Sequence, residues 1–219
     1  AILIYDQNTT IDDWSNFRYY LAMGDEHTDI RQHILDTAKP IILGKGFSAV
    51  GLNEILSAAG VPKGSFYHYF KSKEGFGEAL LDSYFTQYHQ QLSKILTKGE
   101  GNGRNRLINY WQRWLDSQST DGTDGKCLVV KLGGEVSDLS EPMRISLEHG
   151  TSRIVDMIAE SIIAAQSDGS LSESIDATDS ALVLYNLWLG ATVLTKIRRD
   201  RTALEAAMTI TRTMLSKTA

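Results

Sequence analysis

An all-α fold is predicted by three features of this sequence. Apolar residues recur at three- and four-residue spacing through most of its 219 residues, there are only three prolines, and no stretch alternates apolar and polar residues as a half-buried strand would. The expected architecture is a small N-terminal three-helix unit joined to a larger helical unit. The boundaries are an extension over 1–27, the small unit over 28–75 and the larger unit over 76–219. Residues 1–22, AILIYDQNTTIDDWSNFRYYLA, precede Met23-Gly24 and lack the basic head and long apolar centre of a secretory signal. They read as an upstream extension with Met23 as the natural start, and no role is assigned to them.

The first helix is capped by Thr28 or Asp29 and carries Ile30, Ile34, Ala38, Ile41 and Ile42 on one side. It is expected to stop at Gly44-Lys45-Gly46, where glycine accepts the left-handed conformation. A short helix follows over 52–59, with Leu52, Ile55 and Leu56 facing inward and Gly60 closing it. Pro62 suits the entrance of a third helix over 63–70. Two helices joined across Gly60-Val61-Pro62 have the helix-turn-helix layout.

Ser72 caps a fourth helix that carries Phe76, Ala79, Leu80, Tyr84, Tyr88 and Leu92 towards Leu96. After the polar turn 99–105, a helix over 103–118 places Leu107, Tyr110, Trp111 and Trp114 on one side. The loop STDGTDG and the short segment KCLVVKLGGEVSD come next. Pro142 opens a long helix to Gln166, the loop SDGSLSES follows, and the last two helices span 176–198 and 203–217.

Composition narrows the function. The net charge is −5 with a pI near 5.5, so any surface that attracts an anion has to be local. A single cysteine, Cys127, excludes an internal disulfide framework and fits a reducing cytosol. No apolar run reaches the roughly 18 residues of a bilayer crossing, so no membrane association is expected. The five histidines, His27, His33, His68, His89 and His149, make no metal-ligand spacing. GEGNGR at 99–104 follows a helix rather than a strand, which argues against a phosphate loop. Neither a metal, a cofactor nor a catalytic set is expected, so the chain is not read as an enzyme.

The run VPKGSFYHYFKSK, residues 61–73, carries the strongest signal. On a 3.6-residue helix Phe66 and Phe70 form an inward pair, leaving Ser65, Tyr67, His68 and Tyr69 outward between Lys63, Lys71 and Lys73. Lysine, serine and tyrosine side chains with helix N-terminal amides are groups that hold DNA phosphates, and Gly64 permits close approach to a groove.

The segment from Ile30 to Leu80, above all AAGVPKGSFYHYFKSKEGF, resembles the N-terminal domain of the TetR/AcrR family of transcriptional regulators. The resemblance implies a helix-turn-helix DNA-binding domain joined to a helical ligand-binding and dimerisation domain. It further implies that a double-stranded operator is read by Lys63, Gly64, Ser65, Tyr67, His68 and Tyr69, with Lys73 holding a phosphate. Family members carry Thr and Ser hydroxyls before the second helix. Here Val50-Gly51 stands there, so Gly51 is the expected cap, Ser48 the nearest hydroxyl, and backbone amides the expected phosphate donors.

Cys127 lies in GKCLVVKLGGEVSDLSEPMR at the start of a short helix, beside Lys126 and four residues before Lys131. A helix N-terminus and nearby cations favour a thiolate, open to oxidants and electrophiles. The alternative is a small buried hydrophobe. This segment and YNLWLGATVLTKIRR, 185–199, are similar to the repressors of N-ethylmaleimide reductase within the family. That similarity implies a sensing cysteine at Cys127 with Lys196 as partner, and release of DNA on modification. The competing expectation is a small hydrophobic inducer bound without a covalent bond, with Cys127 structural.

The helix 176–198 is apolar on nearly every side and has to be covered all round. A second copy of the chain would complete the cover, and the family pairs its last two helices in that way. Tyr185, Trp188, Leu189, Thr192, Met208 and Thr211 are the residues expected at the dimer face. A homodimer would let the short 63–70 helix read a palindrome in two half-sites. Trp111, Trp114 and Trp188 read as core. An all-α enzyme or interaction module without DNA binding is the remaining alternative.

Overall fold

The computed structural model describes residues 26–118 and 127–216, with side chains described from Ile30 onward. Among the described residues there are helices and no strands: α1 Glu26–Lys45, α2 Leu52–Ala59, α3 Lys63–Phe70, α4 Lys73–Lys98, α5 Gly103–Ser117, α6 Leu128–Val136, α7 Glu141–Ser167, α8 Ala177–Arg198 and α9 Thr202–Met214. Of the expected extension over 1–27, residues 1–25 lie outside the described residues, as does Lys126, and residues 26 and 27 belong to α1.

The small N-terminal unit is built as its residue types require. Ile34, Leu35, Ala38 and Ile42 line the buried side of α1, which stops at Lys45 before Gly46 at φ +96°. It begins at Glu26, so Thr28 and Asp29 lie inside the first turns rather than at the cap. Gly60, at φ +65°, turns the chain between α2 and α3, and the Val61 amide bonds to Leu56 O at 3.2 Å. Phe66 and Phe70 of α3 point inward with ring centroids 5.1 Å apart, and both meet Phe76 of α4. Ser72 caps α4 by accepting the Gly75 amide at 3.0 Å.

Helix α4 leaves this unit and runs the length of the second half against α7. Close approach there depends on two glycines. A Cβ at Gly150 of α7 would collide with the Phe85 ring, and one at Gly77 of α4 would lie 2.8 Å from Phe47 and 2.6 Å from Met143 Sδ. The second half centres on stacked indoles: Trp111 and Trp188 have centroids 5.1 Å apart at 19°. Thr192 and Thr211 are buried because they accept the indole protons of Trp114 and Trp188, at 3.0 and 2.9 Å.

Helix α8 differs from the sequence expectation. By length and composition alone it is long and apolar enough to cross a bilayer, a test that the core helix of a water-soluble fold also passes. Ala181, Leu184, Tyr185, Trp188, Ala191 and Thr192 are nevertheless buried against neighbouring helices, leaving a second apolar side outward.

Candidate DNA-binding surface and the Cys127 cavity

Helical phase divides α3 into two faces. Lys63, Gly64, Tyr67 and His68 are exposed, Ser65 and Tyr69 are half-buried, and Phe66 and Phe70 are core. Lys63 Nζ lies 5.8 Å from the Tyr67 ring centre, and His68 meets the edge of Tyr69 at 5.0 Å. Burial raises the Tyr69 phenol, so its hydroxyl stays protonated and able to donate at neutral pH. Lys73 Nζ sits 4.9 Å over the Phe47 ring at the N-terminus of α4. The backbone at Lys71, φ +62°, turns the chain so that α3 and α4 present one surface. The α3 residues expected at a DNA face and Lys73 thus share this corner of the molecule.

The preceding turn behaves differently. Gly51 is exposed and caps α2 with no side-chain bond, as its lack of a side chain requires. The Ser48 amide, however, donates to Glu135 Oε1 of α6 at 2.6 Å, and the Phe47 amide to Glu135 Oε2 at 3.1 Å. The Glu135 carboxylate therefore engages both the amide and the side chain of Ser48, the nearest hydroxyl to the turn; of the backbone amides expected to hold a phosphate, the first ones of α2 remain as donors. No pattern within residues 126–138 signals that Glu135 reaches a turn more than 80 positions earlier.

Cys127 is the N-cap of α6 and is half-buried. The Tyr84 hydroxyl donates to its sulfur at 3.9 Å. Burial pushes the Cys127 thiol up. The Val130 amide, the Tyr84 hydroxyl, the Val129 amide and the charge of Lys196 pull it down without offsetting that burial. This corrects the expectation of a thiolate-favouring site. Lys131, the expected cation, instead donates to Gly44 O at 3.2 Å. Lys196 is exposed, and its positive charge acts on the thiol in the direction of the thiolate, as the smallest of these influences.

The sulfur faces a cavity of about 650 Å³, walled by Lys39 of α1, Tyr84 and Tyr88 of α4, and Tyr110 and Trp114 of α5. Tyr88 and Tyr110 share a hydrogen bond at 2.9 Å, and burial pushes both phenols up, so both remain neutral donors. A ligand here would touch the N-terminal unit and the second half at once. Among the described residues no cluster of His, Cys, Asp and Glu could hold a metal ion.

Comparison with known proteins places this geometry. The family described as bacterial regulatory proteins, tetR family, matches residues 34–80, and the tetracyclin repressor-like C-terminal domain matches 103–211. The chain is 43% identical to the HTH-type transcriptional repressor NemR of Escherichia coli over 183 residues, 84% of this chain and 92% of that one. The chain belongs to the tetR family. This tetR-family chain is accordingly a DNA-binding transcriptional regulator and not an enzyme. It is also 31% identical to the repressor DhaR of a Mycobacterium species, over 84% of this chain and 90% of that one. The crystal structure of reduced E. coli NemR superposes with a TM-score of 0.83 at 42% identity, covering 87% of this chain and 99% of that one.

The last two helices of this tetR-family regulator require a correction to the expected dimer face. Tyr185, Trp188, Thr192, Met208 and Thr211 are buried within a single chain, and Leu189 is half-buried. The outward apolar side of α8 is formed by Leu182, Val183, Val193, Leu194 and Ile197, with Ile210 exposed on α9. Gly190 lies exposed in this region, with nothing within 4 Å of the position its Cβ would take. Because α8 is apolar on both sides, its sequence could not tell which side the rest of the chain covers.

Proposed function

We propose that the chain is a homodimeric repressor in the cytoplasm, which binds a palindromic operator through α3 and releases it when an electrophile or oxidant modifies Cys127. The observation that carries the DNA-reading part is the outward face of α3. Lys63, Gly64, Ser65, Tyr67, His68 and Tyr69 would enter the major groove, and Lys73 would hold a phosphate beside it, with Ser48 and the Gly51 cap flanking the backbone. The dimer would close over the outward apolar side of α8 and α9 and set the spacing of the two α3 helices.

For the input, Cys127 opens on a cavity large enough for a small molecule, and the charge of Lys196 acts on its thiol. Its proton leaves to solvent, and the sulfur lone pair then bonds to the electrophilic atom as the bond from that atom to its leaving group breaks, releasing iodide from iodoacetamide or hydroxide from hypochlorous acid. The new substituent fills space between α1, α4 and α5 and favours a spacing that no longer fits successive grooves. A second reading has a specific observation in its favour. A raised thiol in a cavity lined by Tyr84, Tyr88, Tyr110 and Trp114 also suits a non-covalent aromatic inducer, with Cys127 as part of the wall.

The test is operator binding by the full chain, using DNA from upstream of its own coding region. Palindrome-specific binding that survives competitor DNA is expected. Cys127→Ser is expected to bind the operator equally well and to ignore iodoacetamide or hypochlorous acid; a serine variant that still lets go refutes the covalent input and leaves the non-covalent one. Lys73→Ala is expected to weaken binding to every sequence and to reduce the salt slope by about one per half-site. An unchanged slope would remove Lys73 from the DNA surface.

A further inference from the structure

Helix α6 carries Cys127 at its N-terminus, and its opposite end is fastened to the DNA-binding unit. Two side chains one turn apart make the attachment. Lys131 Nζ donates to Gly44 O at 3.2 Å, and the Glu135 carboxylate accepts the consecutive amides of Phe47 and Ser48 at 3.1 and 2.6 Å. The chain bends around this carboxylate: Gly46 adopts φ +96°, and a Cβ there would lie 2.9 Å from Glu135 Oε2. Consecutive amides converging on one anion form a nest, here filled by a side chain from a helix that belongs to the regulatory half.

The turn held in this way is not peripheral to DNA binding. Phe47 is 1% exposed; its ring lies under Lys73 Nζ at 4.9 Å and beside Gly77. Three residues after Ser48, Gly51 caps α2, the helix that supports α3. Moving residues 46–48 therefore shifts both the floor beneath Lys73 and the start of α2. From Cys127 to Glu135 is eight residues, about 12 Å of helix, with hydrogen-bonded backbone throughout.

We propose that Glu135 is the coupling residue of this regulator: its carboxylate fixes the α1–α2 turn to α6, so that displacement of α6 from the Cys127 end is transmitted to Phe47, Lys73 and α2. Glu135 is a positioning residue and touches neither DNA nor inducer. The proposal rests on the sensing role of Cys127 only for the identity of the input; the attachment itself is independent of it. The attachment also separates two tasks. Without it the N-terminal unit keeps its own core of Phe66, Phe70 and Phe76 and its DNA face, while the signal from the second half is lost.

The experiment follows the full chain before and after Cys127 is labelled with iodoacetamide, the sulfur displacing iodide to form a thioether. Hydrogen exchange at the Phe47 and Ser48 amides reads the attachment, and operator affinity reads the output. In the wild-type chain, labelling is expected to speed exchange at both amides and to weaken operator binding about tenfold. In Glu135→Ala, these amides are expected to exchange about tenfold faster before any label is added, with no further change on labelling. That variant is expected to bind the operator within about threefold of wild type and to lose little affinity on labelling. Glu135→Gln, which retains one acceptor oxygen, should fall between the two.

The proposal is overturned if labelling leaves Phe47 and Ser48 exchange unchanged in the wild-type chain, or if Glu135→Ala releases operator on labelling as fully as wild type. Faster exchange at these amides without operator release would leave the attachment standing but overturn its coupling role, because the displaced turn would then not reach the DNA face.

Discussion

At the scale of single residues, Cys127 shows how burial overrides local sequence. A helix N-terminus and neighbouring lysines favour a thiolate, yet Lys131 is drawn to Gly44 O, and burial leaves the thiol raised. The thiolate is the nucleophile, so a raised value means less of it at neutral pH and a reaction rate that keeps climbing with pH beyond the ordinary thiol value near ~8.5. Alkylation by iodoacetamide, followed by mass spectrometry across pH 7 to 10 (roughly the range on either side of that value), is expected to show this rise without an early plateau. The Tyr84 hydroxyl and the Lys196 charge both favour the thiolate, so Tyr84→Phe and Lys196→Gln should each slow the reaction at fixed pH. A plateau at or below the ordinary value, or no slowing in either variant, would contradict the assigned environment. The residues of α3 were more legible than Cys127. Phe66 and Phe70 had to be inward by helical phase alone, which left Lys63, Tyr67 and His68 outward. Glu135 was not legible, because its partners are backbone amides more than 80 positions away, which carry no signature in residue type.

At the scale of helices, punctuation was read more reliably than facing. Gly60, Pro62 and Ser72 mark ends and starts through local backbone chemistry, and the structure places α2, α3 and α4 accordingly. Which side of α8 turns inward depends on what packs there. With apolar residues on both sides the choice is settled by Trp111 stacking on Trp188, and by threonines that accept indole protons. The packing of α4 on α7 supplies a quantitative test, because it leaves no space at Gly150. A methyl group there meets the Phe85 ring, and the His89–Gly150 carbonyl contact at 3.0 Å restricts sliding of the two helices past each other. Gly150→Ala is therefore expected to destabilise the fold by about 1–3 kcal/mol through overpacking, measured by denaturant unfolding. The exposed Gly134 has open space at its Cβ position and lies within α6, so Gly134→Ala serves as a comparison for helix propensity alone. If Gly150→Ala were as stable as Gly134→Ala, the close approach of α4 and α7 would be wrong.

At the scale of the whole molecule, the N-terminal unit presents one short outward helix face, that of α3, and one such helix in a groove would contact too few base pairs to select a site in a genome. Two copies at a fixed separation multiply that selectivity, and the separation is set where the subunits join. The outward side of α8 has the composition of such a junction. Ile197 is 70% exposed and Val183 51%, levels at which large apolar side chains in a monomer would hydrate at a cost. Gly190 between them offers a place where a partner helix can come close. Replacing Leu194 and Ile197 together by glutamate puts two charges in the centre of this face and leaves the buried Tyr185–Trp188–Thr192 side untouched. The variant is expected to keep its helicity and to sediment as a monomer. Its operator affinity should fall by about 100-fold or more while it retains weak, salt-sensitive binding to a single half-site. Retained dimerisation would show that the subunits join elsewhere. A monomer with undiminished operator affinity would remove the two-half-site mechanism altogether, because the spacing between α3 helices would then have no part in recognition.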